Sequence, residues 1–150
     1  MPKSEYLLQA ARILIACAIS YGGSRLVGLN EGYWALITAV VVTQPALGST
    51  LSAGRDRVFA TVIGALAGLG VLGATELGLS LYVLFWIALI PLSILTAIKP
   101  NLRMCCITLA IVVLVPSTGT PFVRAFERIL EILIGTLASI IVTATIPKER

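Results

Sequence analysis

Apolar residues run along this chain in six blocks, at about residues 6–28, 31–45, 57–75, 79–98, 103–116 and 125–146. A helix crossing the hydrocarbon of a bilayer needs about 20 such residues, so the pattern predicts helices that span a membrane. The segments between the blocks carry turn and breaker residues: Gly28 to Gly32, Pro45 to Arg57, Glu76 to Gly78, Lys99-Pro100-Asn101, and Pro116 to Pro121. No connection is long enough for a separate domain. The pattern therefore predicts an all-α, polytopic membrane protein of six transmembrane helices, a single membrane domain over residues 1–150.

An offset of 71 residues brings Pro45 onto Pro116, Gly48 onto Gly119, Arg57 onto Arg128 and Gly64 onto Gly135. The flanking apolar runs agree, with Ala39 to Val42 on Ala110 to Val113. We expect two repeats of three spans each, over about residues 6–75 and 79–146. An odd number of spans makes the second copy enter the membrane with opposite topology, an inverted repeat of the kind found in transporters. The second and fifth spans hold only about two-thirds of the residues a perpendicular helix needs before their prolines. Paired, Gly/Pro-interrupted segments point to a substrate site, because the freed backbone groups must line a cavity or contact protein. The helix breaks would lie at Pro45, Gly48, Pro116 and Gly119. A kinked helix continuing past Pro45 is the alternative reading.

Composition agrees with the pattern: 58% of residues are hydrophobic and 12% charged, where soluble domains hold about a quarter charged. With no histidine, Ser-His-Asp and Cys-His sites and imidazole metal ligands are excluded. Cys17, Cys105 and Cys106 lack the spacing of a metal or redox site and read as buried thiols. We expect no enzyme, no cofactor and no metal. The net charge of +4 comes from basic residues scattered singly between apolar runs, which speaks of membrane topology and not of nucleic acid. With the N-terminus inside, Lys3, Arg12, Arg55, Arg57, Lys99, Arg103, Lys148 and Arg150 are cytoplasmic, and only Arg25, Arg124 and Arg128 are outside. Both termini are therefore expected in the cytoplasm. A lipoprotein-like signal ending at Cys17 is disfavoured, because Gln9 and Arg12 interrupt its apolar run.

Arg57 and its repeat mate Arg128 are the leading candidates for chemistry: a guanidinium stays charged and offers a planar fork to a carboxylate, so the pair would bind or attract anions. Arg12 is expected to snorkel to the cytoplasmic interface, and Arg25 to line the outer vestibule. Trp34, Thr38 and Val42 form a stripe near Tyr33 and Gln44 that would bind a ring and a carboxylate, or form part of an interfacial aromatic belt. Charges from Arg124 to Glu131 are spaced to pair along one helix. Glu131 and Asp56 are the candidate proton carriers. Gly64 and Gly68, with Gly135 as counterpart, predict close helix packing within the chain or between protomers.

The run Tyr33 to Pro45, then Gly48-Ser49-Thr50, Gly54, Arg57, Thr61 and Gly64, resembles the signature of the fusaric acid resistance and aromatic acid exporter superfamily. Arg128 with Gly135 resembles its last-span motif. The resemblance covers nearly the whole chain. It implies export of aromatic or other organic carboxylates across a bacterial inner membrane, and a relationship to the plant aluminium-activated malate channels, in which two six-helix units form one anion pathway. Trp34, Thr38, Gln44, Thr50 and Arg57 are the positions it carries to the pathway. Ala60 departs from the pattern, where a glycine commonly precedes the threonine. With no soluble domain after Arg150, the chain reads as a minimal homodimeric member or as a fragment. A passive anion channel, and a non-transporting assembly subunit or anchor, are the competing functions.

Overall fold

A chain this apolar satisfies its backbone by forming helices, since hydrocarbon offers no partner for a bare N–H or C=O group. The computed structural model of the protein describes residues 3–29, 31–115 and 120–146. Six α-helices form: α1 (Lys3–Leu26), α2 (Tyr33–Val42), α3 (Leu47–Thr75), α4 (Leu81–Ile98), α5 (Met104–Leu114) and α6 (Pro121–Thr145). A single 3-10 turn, Pro100–Leu102, links α4 to α5, and no strand occurs among the described residues. Helices α1, α3 and α4 are long and apolar enough to cross a membrane. Helices α2 and α5 hold 10 and 11 residues, roughly half the length needed to cross the hydrocarbon layer.

Local chemistry sets the helix ends. Helix α1 stops at Gly28, whose φ of 84° lies in the left-handed region that disfavours other residues. There the Leu29 N–H donates to the Ser24 carbonyl at 3.0 Å and the Gly28 N–H to that of Arg25 at 3.1 Å. Gly78, also at 84°, ends the turn after α3. Helix α6 opens on Pro121, where the missing N–H has no helical partner to lose.

One boundary departs from expectation. The stretch from Pro45 to Arg57 is not a connection, because α3 already begins at Leu47. Its small polar residues resemble a loop in composition but serve the helix: the Thr50 hydroxyl accepts the Gln44 N–H at 3.0 Å, and a side chain at Gly54 would meet Thr136 at 2.6 Å. Gly48, Thr50, Arg55, Asp56 and Arg57 are consequently all helical. Pro116 and Gly119, the other two expected breaks, lie outside the described residues.

The chain forms two compact units whose boundaries fall inside α3 and α6, so the first is made of two stretches of chain and the second is one continuous stretch. The first, residues 1–55 and 130–150, contains α1, α2, the start of α3 and most of α6. Its core is small and polar in part: Arg12, Ala16, Ser20 and Ser24 form the buried stripe of α1. The second, residues 56–129, holds the rest of α3, α4, α5 and the start of α6 around Ala60, Val71, Phe85, Leu92, Cys105, Leu109 and Val113. On α4, Tyr82, Trp86, Ile87, Ile90 and Ile94 are all more than half exposed, an apolar face that suits lipid.

Burial repeats along the chain. Ala35, Thr38, Ala39 and Val42 are the buried residues of α2, and 70 positions on, Cys105, Thr108, Leu109 and Val112 are buried in α5. In α3, positions 54, 57, 60, 61, 64, 65, 68 and 71 are buried, and each has a buried counterpart in α6 at an offset of 71.

Candidate functional site

In the first unit the chain breaks between α2 and α3, and side chains take over the backbone groups that the break releases. The Gln9 amide donates to the Thr43 carbonyl at 3.0 Å, and Arg12 Nη1 donates to the Pro45 carbonyl at 3.0 Å. Thr50 is fully buried; besides accepting the Gln44 N–H, its hydroxyl lies 3.3 Å from the Gln44 carbonyl and 3.5 Å from the Thr143 hydroxyl. Thr143 donates to the Ser139 carbonyl at 2.7 Å, and the Ser139 hydroxyl lies 2.8 Å from the Gly135 carbonyl and 3.4 Å from that of Ala39. Irregular backbone persists in an apolar protein only where such partners exist.

Arg12 changes role here. Its side chain is 2% exposed and turned onto the Pro45 carbonyl, so it does not reach outward to an interface as the sequence led us to expect. It sits nine residues into α1, about 14 Å along the helix axis. Arg12 Nε, Arg12 Nη2 and Gln9 Oε1 are buried with no hydrogen-bond partner among the described residues.

In the second unit an arginine performs the equivalent task at the end of α5. Arg124 Nη1 donates to the Val112 and Val115 carbonyls, at 3.0 and 2.9 Å, placing positive charge at the negative end of the helix dipole. The same unit holds both leading candidates: Arg57 is 5% and Arg128 3% exposed. The Arg57 carbonyl accepts the Thr61 hydroxyl at 2.9 Å, while its Nε is buried with no partner among the described residues. Asp56 is half-buried beside it in sequence.

The glycines mark close helix approaches within the chain. A methyl group at Gly64 would collide with the Cys105 carbonyl and Thr108 on α5, and one at Gly135 with the Ala35 carbonyl and Thr38 on α2. At Gly68 it would meet Val112 at 2.7 Å.

The aromatic and hydroxyl stripe is divided among tasks. Trp34 donates its indole N–H to Glu31 at 3.1 Å, Tyr33 donates its hydroxyl to the same carboxylate at 2.9 Å, and the two rings lie 5.4 Å apart. Thr38 is buried and donates to the Trp34 carbonyl at 2.9 Å. The Gln44 side chain donates to the Val41 carbonyl at 3.1 Å. Glu131 is buried in the first unit, at 1% exposure. Gln44, Pro45 and Thr50 are thus brought together, with Arg12, Gln9 and Thr143 added, while Arg57, Arg128 and Asp56 belong to the other unit. Sequence reasoning missed Arg124 as a helix-end partner and Arg12 as a buried group. The signal for Arg12 was its place among the small residues Ala16, Ser20 and Ser24, at four-residue spacing.

Helices of membrane-spanning length, an outward apolar face and buried arginines beside broken backbone define a polytopic α-helical membrane protein. Residues 13–142 match the family model described as fusaric acid resistance protein-like, and the chain belongs to that family. It is also similar to the inner membrane protein YccS of Escherichia coli (strain K12), 30% identical over 71 residues. That match covers 47% of this chain and 10% of YccS, so the chain corresponds to a small part of the length of that relative.

Proposed function

We propose that the chain is the membrane domain of an exporter that moves organic, chiefly aromatic, carboxylate anions across a bacterial inner membrane. The observation that carries this reading is the burial of Arg57 and Arg128 at matching positions of α3 and α6 in a protein with so few charges. A guanidinium held away from water costs several kcal/mol unless an anion or a set of acceptors meets it, and intramembrane charges mark ion and substrate paths. Membership of the fusaric acid resistance protein-like family and the similarity to an inner membrane protein support both transport and location.

The architecture that goes with this function is one membrane domain of two three-helix repeats with inverted topology. Its support is the recurrence of buried positions at 71 residues in the long helices and at 70 in the short ones. The excess of Lys and Arg on one side favours cytoplasmic termini. Gln44, Pro45 and Thr50 shape the passage at the helix break, Trp34 and Thr38 line its approach, and Glu131 and Asp56 carry protons if export is proton-coupled. A homodimer completes the assembly by analogy with paired six-helix units.

Flux of benzoate and of small dicarboxylates in liposomes containing this chain, with and without an imposed pH gradient, tests the reading. Saturable flux that responds to the gradient and is lost on replacing Arg57 and Arg128 together by Gln is expected. Flux driven by voltage alone would make the protein a channel. Undiminished flux in the folded double variant would remove the arginines from the pathway, and absent flux from the folded wild type would leave the subunit or anchor role.

A further inference from the structure

Arg12 is the most demanding group in the first unit. Only one of its three nitrogens is bonded, Nη1 to the Pro45 carbonyl, and the remaining Nε and Nη2 are buried with no partner among the described residues. Those two nitrogens form one edge of the guanidinium, whose parallel N–H groups match the two oxygens of a carboxylate. Pro45 lies two residues before α3, a helix of 29 residues whose first-turn N–H groups have no carbonyl within the helix to accept them. A carboxylate beside that turn gains from both the free donors and the helix dipole. The segment that would have to shift is unencumbered, since residues 45–49 are exposed and nothing lies within 4 Å of where a side chain at Gly48 would begin.

We infer that Arg12, through its Nε and Nη2 edge, together with the first turn of α3, forms a carboxylate-binding site at the α2–α3 break, closed in this structure and reached by a small shift of Pro45 to Gly48. The inference rests on the anion-transport reading and adds a subsite within the first unit, separate from Arg57 and Arg128 in the second. The Nη1 bond to Pro45 has a consequence for the cycle: the residue that reads the carboxylate is tied to the segment that must move. Binding and backbone rearrangement are thereby coupled through one guanidinium.

The test is binding of benzoate labelled with 13C in its carboxylate to the full chain in lipid nanodiscs. It is read by calorimetry and by the 15N resonances of the arginine side chains. Arg12 is identified without any variant through 13C-carbonyl-labelled alanine, because Ala11-Arg12 is the one Ala-Arg pair in the sequence and its backbone amide can be correlated with its own side-chain Nε. Benzoate is expected to shift the Arg12 Nε resonance and to show dipolar coupling between its carboxylate carbon and that nitrogen. Arg12→Lys, whose ammonium still reaches the Pro45 carbonyl but lacks the fork, is expected to unfold at nearly the same temperature and to bind at least about tenfold more weakly. An Arg12 resonance unmoved at saturating benzoate, or wild-type affinity in Arg12→Lys, overturns the inference; should that variant not fold, the wild-type resonance alone decides. Benzoate bound without contact to Arg12, with flux lost in the Arg57→Gln and Arg128→Gln double variant, sinks this site and leaves the transport reading standing. Benzoate bound at Arg12 without flux does the reverse, and no binding to the wild type overturns both.

Discussion

Alanine at Gly64 measures how tightly α3 packs on α5. The added methyl would collide with the Cys105 carbonyl and lie 2.7 Å from Thr108 Cβ and 3.1 Å from the Cys105 carbonyl carbon. Backbone atoms cannot swing aside as a side-chain tip can, so the two helices must separate. Overpacking of this kind costs about 1–3 kcal/mol. Glycine to alanine in a helix interior also brings a gain of roughly 0.5–1 kcal/mol from backbone entropy, which blurs a single measurement. Gly70 lies in the same helix with nothing within 4 Å of the added atom, so Gly70→Ala keeps the gain without the collision. The difference between the two variants therefore isolates the packing cost at about 1–3 kcal/mol. At roughly 2–4 °C per kcal/mol for a chain of this size, the gap in Tm is several degrees. Gly68→Ala should fall between them, because its contact at 2.7 Å is with the Val112 side chain. Thermal unfolding of the three variants in one detergent, followed by circular dichroism, is the assay. Equal Tm values for Gly64→Ala and Gly70→Ala would refute the close contact of α3 with α5.

Other sites give independent checks. Arg124→Gln removes the donor shared by the Val112 and Val115 carbonyls and should cost about 1–3 kcal/mol, read as faster hydrogen exchange at the C-terminal end of α5. Thr50→Val keeps the shape but strands the Gln44 N–H, at a cost of about 1–3 kcal/mol in unfolding experiments; a variant as stable as wild type would remove Thr50 from the α2–α3 break. Gly28→Ala forces a side chain into the left-handed region and should lose about 1–2 kcal/mol, whereas Gly22→Ala, with open space around it, should not be destabilised.

Much of the chain was legible because apolar spans and breakers act locally. Each of the six apolar blocks holds one helix, with α3 starting ten residues ahead of its block, and α2 and α5 are the short ones. The family was legible too, since the run from Tyr33 to Gly64 is contiguous and specific, and the family model covers residues 13–142. The start of α3 was not legible. Ser49, Thr50, Ser52 and Gly54 have loop-like composition, and the contacts that fix this turn of helix, Thr50 with Gln44 and Gly54 with Thr136, join residues distant in the pattern. The offset of 71 carried over to α3 and α6 but slipped to 70 for α2 and α5, a difference that letters shared among Ala, Val and Ile do not reveal.

The sequence by itself determined that this is a helical membrane protein and that its second span is interrupted at Pro45, because solvation of side chain and backbone depends on local composition. Tertiary structure alone decided what each polar group touches. Arg12 has the same sequence context as a snorkelling residue, yet packing turns it onto the Pro45 carbonyl, 33 positions away. Gly64 and Gly135 belong to small-residue motifs whose spacing permits any close contact, and the fold assigns them to α5 and α2. The physical reason is common to both. A hydrogen bond or a close helix approach depends on which backbone atoms arrive from distant segments, and one-dimensional spacing carries that information only where the partner lies on the same helix.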